Sequence, residues 1–142
     1  MKCIAYRNGY KYQLKETCEI TIDLRPPEPI CTEYVSLASD GVLTLNKGYA
    51  WDGPSGPAID TLNFMRGSLV HDALYQLMRD KYLDRAMYRE TADLILRDIC
   101  IEDGMSRIRA WWVYHAVRRF ADVAADPAAS RPLIRAPKGC QP

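Results

Sequence analysis

A change of hydrophobic period near Leu62 constrains the fold more than any other feature of this 142-residue chain. Before this point apolar residues alternate with polar ones, which is the period-two pattern of half-buried strands. After it, apolar residues recur every three or four positions, which is typical of amphipathic helices. A run of strands followed by a run of helices predicts an α+β fold.

The N-terminal part predicts an antiparallel β meander. The predicted strands span 10–14, 18–24, 32–37 and 42–45, and the alternation is clearest in 18–24. Ser39-Asp40-Gly41 is typical of a hairpin turn between the last two strands. Pro26-Pro27-Glu28-Pro29 predicts a loop, because consecutive prolines remove the donors of a strand ladder.

Three helices are predicted in the C-terminal part. The first has a stripe at four-residue spacing from Met65 to Leu77, the second begins at an Asp84 cap, and the third begins at a Ser106 cap. We therefore expect a single domain over 1–125, mainly β in 1–50 and mainly α in 62–125. The segment 126–142 has four prolines and little apolar periodicity, which predicts a flexible tail.

Composition narrows the function classes. The net charge is +1, so the molecule as a whole is not a polyanion binder, and nucleic acid is not an expected partner. No apolar run is long enough to cross a bilayer, and the N-terminus does not resemble a signal peptide. The five cysteines lack Cys-x-x-Cys spacing, which predicts free thiols in a reducing cytoplasm.

His71-Asp72 is the strongest candidate for chemistry. An adjacent histidine and aspartate can supply a general base and an anionic metal ligand. Tyr75 lies one turn further along the same helix, and Asp93 lies at the border of the apolar stripe of the next. If the two helices are antiparallel, Asp93 faces His71 and fixes its tautomer, which leaves the second imidazole nitrogen free to take a proton.

A turn-rich loop, Trp51-Asp52-Gly53-Pro54-Ser55-Gly56-Pro57, precedes this helix. Its glycines permit backbone torsions that expose carbonyl oxygens, and its prolines stiffen the turn. Such carbonyls, at Trp51, Gly53 and Gly56, combined with the Asp72 carboxylate, are the donors that a hard cation such as calcium requires. Tetrahedral binding through the His71 nitrogen would instead indicate zinc.

His71-Asp72-Ala73-Leu74-Tyr75 resembles the His-Asp-x-x-Tyr core of the phospholipase A2 superfamily, most closely its viral, disulfide-free branch in parvovirus capsids. There a Gly-Pro-containing calcium loop precedes the His-Asp helix, and an Ala-Asp pair follows on the next helix, like Ala92-Asp93. The resemblance implies calcium-assisted hydrolysis of an ester such as a phospholipid. His71 would be the base, Asp72 a calcium ligand, Asp93 the residue that orients His71, and Tyr75 a support for the network.

A second resemblance covers Gly48 to Leu77 and Trp112 to Phe120, and it is to a family of small uncharacterised proteins of tailed phages and prophages. It implies a phage origin, and hence a location in the host cytoplasm or in the virion. The alternative to a hydrolase is a non-enzymatic phage accessory, virion or anti-defence protein with a phage or host protein partner. In that case His71, Asp72 and Asp93 are structural.

The third predicted helix has a Trp111-Trp112 pair among arginines, of which Arg118 is one. This composition suits a lipid interface or a nucleic-acid surface. The competing prediction from helical spacing is that one tryptophan is in the core, the other lies in a semi-buried seam, and the arginines are the solvated face.

Overall fold

The computed structural model describes residues 4–6, 11–53, 61–129 and 132–140. Within these ranges the chain forms short antiparallel strands and three helices, and the predicted α+β architecture is confirmed. The elements are β1 (Ile4–Tyr6), β2 (Tyr12–Gln13), β3 (Cys18–Thr21), β4 (Ile30–Cys31), β5 (Val35–Leu37), β6 (Val42–Leu45), β7 (Ala50–Trp51), α1 (Leu62–Arg79), α2 (Arg85–Glu102), α3 (Arg107–Phe120) and β8 (Ile134–Ala136).

The largest sheet has four strands in the order β3-β6-β5-β4, all neighbours being antiparallel. The predicted hairpin joins β5 to β6, with Leu37 opposite Leu43. Both leucines are fully buried, because every second side chain of these strands points into the core. The predicted strand 18–24 forms regular pairs only as far as Thr21, although Ile22 and Leu24 beyond it are still buried.

A smaller ladder between β2 and β7 positions the loop that precedes α1. Tyr12 pairs with Trp51, and their rings lie 5.4 Å apart. The Trp51 indole donates a hydrogen bond to the Ser68 hydroxyl at 3.3 Å. The start of the loop is therefore fixed both to β2 and to the helix that contains His71.

The helices form because their apolar stripes bury against one another and against the sheet. Gly67 on α1 allows α2 to approach closely, since a Cβ there would lie 2.8 Å from the Cys100 sulfur. The predicted caps are found at Asp84 and Ser106, but only Ser106 accepts a capping bond, from the Arg109 amide at 3.2 Å. The third helix ends at Phe120 and is followed by two 3₁₀ turns, Asp122–Ala125 and Pro127–Ala129.

Near the C-terminus β8 pairs antiparallel with β1, with Ile4 opposite Ala136. This strand lies in the segment predicted as a flexible tail; the flexibility itself stays a prediction. Cys140 is disulfide-bonded, so the prediction of free thiols is wrong for this residue, whereas Cys18, Cys31 and Cys100 are free. Among the described residues no helix is long and apolar enough to cross a membrane.

We predict that Gly41→Ala destabilises the fold more than Gly104→Ala does. Both glycines have a positive φ (93° and 101°), so either alanine costs about 1–2 kcal/mol of unfolding free energy. A Cβ at Gly41 would in addition overlap the Ile22 carbonyl oxygen, whereas a Cβ at Gly104 meets nothing within 4 Å. The extra loss at Gly41 should be about 1–3 kcal/mol in urea unfolding. Equal losses in the two variants would contradict the close approach of Gly41 to the Ile22 carbonyl.

Candidate active site

The structure brings together three of the predicted site residues, His71 and Tyr75 from α1 and Asp93 from α2. The Nε2 atom of His71 lies 2.7 Å from Oδ1 of Asp93. The Tyr75 hydroxyl donates to the same oxygen at 2.6 Å, and the His71 and Tyr75 rings are 4.1 Å apart. The juxtaposition expected from antiparallel helices is therefore present.

This geometry determines which imidazole nitrogen is occupied. An ionised carboxylate only accepts hydrogen bonds, so Nε2 of His71 carries the proton in its bond to Asp93. In the neutral ring Nδ1 then has the lone pair. The His71 side chain is 8% exposed and Asp93 is completely buried. The carboxylate is thus an internal partner of the histidine, not a group that meets solvent.

Two arginines complete the network, and sequence reasoning missed both. Arg118 on α3 donates to Oδ2 of Asp93 at 3.0 Å, so the prediction that it belongs to a solvated face is wrong. Arg89 on α2 donates to the Tyr75 hydroxyl at 3.2 Å and to the carbonyls of Val117 and Arg118. The available signal for Arg118 is its place one residue after Val117, on the border of the inward face of α3.

The network sets the ionisation of its members. Burial by itself would raise the pKa of Asp93, but hydrogen bonds from His71 and Tyr75, the charge of His71 and the Arg118 guanidinium together lower it. Burial, followed by the bond to Asp93, raises the pKa of Tyr75. Asp93 is therefore a stable anion and Tyr75 a stable neutral donor, which is the arrangement that holds a histidine in one tautomer.

Asp72 lies in a different environment, beside the loop and not in the Asp93 network. Its side chain is half-buried, and its carboxylate accepts the backbone N–H of Asp52. Burial raises the pKa of Asp72 to about 6; His71 opposes this rise and the neighbouring Asp52 carboxylate adds to it. Sequence reasoning missed Asp52 as a site residue, although it belongs to the loop motif. The signal that could have found it is an acidic side chain directly before Gly53.

The predicted metal ligands are only partly described. Trp51 is buried, and Gly53 has a φ of 74° and no room for a Cβ, which would lie 2.5 Å from the Tyr12 ring. Gly56 lies outside the described residues. Within the ranges that are described, no group of three or more His, Cys, Asp or Glu side chains is placed to hold a metal ion. A cation here would depend on the Asp72 and Asp52 carboxylates and on backbone carbonyls. That all-oxygen set fits calcium better than zinc.

The comparisons with known proteins give a family without an activity. The model of a family described as "Protein of unknown function (DUF1353)" matches residues 30–117, more than half of the chain, so the chain belongs to this family. The match extends from β4 into α3 and includes His71, Asp72 and Asp93. No curated protein and no solved structure matches the chain significantly.

We predict that Asp93→Asn lowers the unfolding free energy by about 3–5 kcal/mol, because it leaves the bonds of His71, Tyr75 and Arg118 mismatched in the interior. The matched control is Asp98→Asn on the same helix, whose side chain is 65% exposed and paired with Arg97. Its cost should be below about 1 kcal/mol in denaturant unfolding. If Asp93→Asn does not fold, Tyr75→Phe should still show a loss of about 1–2 kcal/mol. Equal effects at positions 93 and 98 would contradict the proposed importance of the network.

Asp72→Asn should stabilise the protein at pH 7.5 and have little effect at pH 4, in buffers without divalent cations. The folded-state pKa of about 6 lies above the usual 3.8, so the native state binds more protons between these values. The wild-type contribution to stability therefore falls as pH rises through this window and stays low above it. The gain from asparagine at pH 7.5 should be about 2–3 kcal/mol in thermal or urea unfolding.

The control for this pH dependence is Asp23→Asn, which changes a side chain that is 93% exposed. Because this acid is exposed, the substitution should change stability at pH 7.5 by less than about 1 kcal/mol. A gain from Asp72→Asn that is equally large at pH 4 would show that the charge of Asp72 is not the cause.

Proposed function

We propose that the protein is a metal-assisted ester hydrolase of the phospholipase A2 type, with His71 as the general base. The observation that carries this proposal is the Nε2–Asp93 bond, because it leaves Nδ1 as the proton acceptor of a histidine held in one orientation. The Tyr75 bond to the same oxygen repeats the role that the His-Asp-x-x-Tyr resemblance implies for this residue. The proposed substrate is a phospholipid or another carboxylic ester.

In the proposed reaction His71 takes a proton from water through Nδ1 while the water oxygen bonds to the ester carbonyl carbon. The imidazolium that forms is stabilised by the Asp93 carboxylate, which stays ionised because Arg118 and Tyr75 also bind it. The acyl–oxygen bond then breaks, and His71 returns the proton to the departing alkoxide. The products are a carboxylic acid and an alcohol.

Asp72, the neighbouring Asp52 and the loop carbonyls at Trp51, Gly53 and Gly56 are the groups that would hold calcium in this proposal. A bound calcium ion would supply positive charge for the oxyanion formed on the ester carbonyl. Two adjacent carboxylates, one with a pKa raised partly by the other, form a site in which a cation relieves repulsion. Zinc would require the His71 nitrogen and is the less favoured metal.

A phage or prophage origin, and a location in the host cytoplasm or the virion, belong to the same proposal. Their support is the resemblance over Gly48 to Leu77 and Trp112 to Phe120. The alternative function, a non-enzymatic accessory, virion or anti-defence protein with a phage or host partner, has its own support. Asp93 is fully buried and connects three helices, which is also what a purely structural ion network does.

We predict that calcium stimulates hydrolysis of a monomeric short-chain phospholipid and raises the melting temperature. His71→Gln should lower turnover at least about a hundredfold, because a positioned general base contributes about 10²–10⁴ in rate. Asp72→Asn should remove both the stimulation and the calcium-dependent shift in melting temperature. Fatty-acid release and thermal unfolding, each with calcium or with EDTA, measure the two effects.

The control for the base is His115→Gln, which changes the other histidine, an exposed residue of α3, and should keep wild-type turnover. Asp84→Asn, an exposed acid, should keep the calcium response. Absence of both hydrolysis and a calcium shift in the wild type would favour the non-enzymatic alternative. Full turnover in His71→Gln would remove His71 from the mechanism.

A further inference from the structure

The outward face of α3 is apolar. Ile108, Trp111 and Trp112 are 76%, 51% and 64% exposed, so the prediction that one tryptophan is in the core and the other in a semi-buried seam is wrong. Their i, i+3, i+4 spacing places them on one side of the helix. The two indoles meet edge to face at 5.1 Å, and His115 lies 4.2 Å from Trp111. We call Ile108, Trp111 and Trp112 the α3 face.

The packing of α3 does not require this face. Ala110 is fully buried, and Val113 and Val117 pack against the same small cluster of α1 and α2 residues. From the two flanks of the helix, Arg109 donates to Thr61 and Arg118 donates to Asp93. The helix is therefore fixed by its inward side and by these two arginines, and more than half of each tryptophan is left exposed. Large exposed apolar groups of this kind mark contact surfaces.

The charge around the α3 face is positive. The helix contains four arginines and no acid, and Arg107 and Arg119 are exposed. Acids on the neighbouring rim of α2 are paired with arginines, Asp98 with Arg97 at 3.0 Å and Glu102 with Arg66 at 3.3 Å. Arg66 also binds Asp103 at 2.7 Å, so three acids share two arginines and one negative charge remains beside the four arginines of α3. A partner that covers this face must therefore accommodate indole rings and carry negative charge to attract the arginines.

We propose that the α3 face docks on an anionic phospholipid surface. Tryptophan rings prefer the headgroup level of a bilayer, where the ring is buried and the indole N–H stays hydrated. Arginines beside them are attracted to anionic headgroups. The three apolar side chains offer on the order of a few hundred Å², below the roughly 800 Å² per partner of a stable protein dimer. A second copy of the chain is thus the weaker candidate.

The α3 face lies at the same end of the molecule as the start of α1. The Arg109 guanidinium contacts the Thr61 hydroxyl at 3.0 Å, and the next residue, Leu62, is 93% exposed. Docking would thus bring the lipid surface close to Thr61, which directly precedes the helix that contains His71 and Asp72. The proposal nevertheless rests on residues outside the candidate active site and does not require hydrolysis.

The test is co-sedimentation with vesicles in EDTA, where calcium-assisted hydrolysis is absent. The wild type should bind vesicles of phosphatidylcholine mixed with phosphatidylglycerol and bind phosphatidylcholine alone much more weakly. Trp112→Ser should weaken binding about tenfold, and Arg107→Gln about fivefold. Met87→Ser removes a side chain that is 65% exposed on α2 and should bind like the wild type. Ile108→Ser, a second change on the α3 face, should also weaken binding. Circular dichroism checks that each variant is folded.

Three results would overturn the proposal. The first is a wild type that does not sediment with the anionic vesicles or binds both compositions equally. The second is a loss in Met87→Ser as large as that in Trp112→Ser. The third is a dimer, seen by light scattering, that Trp112→Ser disperses, since the face would then bind a second copy. Hydrolysis of the monomeric short-chain substrate depends on none of these outcomes, so the two proposals can fail separately.

Discussion

Asp93 has no exposed surface, and a buried carboxylate is destabilising by several kcal/mol unless other groups compensate its charge. Here the compensation comes from three side chains on two other helices, His71 and Tyr75 from α1 and Arg118 from α3. The ion therefore determines how α1 and α3 are arranged around α2. Arg89 strengthens this arrangement, because it binds Tyr75 and also two carbonyls at the end of α3.

The neighbouring aspartate on α1 shows the opposite balance. Asp72 has one backbone donor and an acidic neighbour, and burial raises its pKa to about 6, whereas the bonds at Asp93 lower the pKa of that group. Two carboxylates near one histidine whose pKa values are shifted in opposite directions suit different tasks. The stable anion supports the imidazole. The Asp72 carboxylate is destabilised by burial and by Asp52, so a bound cation would stabilise its charge more than it would that of Asp93. The proposed metal site is therefore assigned to Asp72.

Local patterns were sufficient for much of the fold. Period, caps and the Ser39-Asp40-Gly41 turn predict the three helices and the β5–β6 hairpin, because these depend on residues close in sequence. The pairing of β1 with β8 escaped prediction, since it joins the two ends of the chain and leaves no local signal. For the site, antiparallel packing of consecutive helices was enough to bring Asp93 to His71. Arg118 was not predicted, because an arginine on a helix border looks the same in sequence whether it faces solvent or an internal carboxylate.

The third helix shows why amphipathicity alone misleads in this chain. A helix normally buries its apolar stripe and exposes its charges, yet α3 buries the Arg118 contact to Asp93 and exposes Trp111 and Trp112. Arg118 reaches inward because the buried Asp93 carboxylate requires a charged partner. It does so from the flank beside Trp111, because seven residues at about 100° each bring the Trp111 and Arg118 side chains to within about 20° of one direction. The inward side of α3 consists instead of Ala110, Val113 and Val117, and Trp111 and Trp112 point away from it. The Asp93 network thus explains why Arg118 reaches inward, whereas the exposure of Trp111 and Trp112 follows from the small residues that α3 packs against α1 and α2.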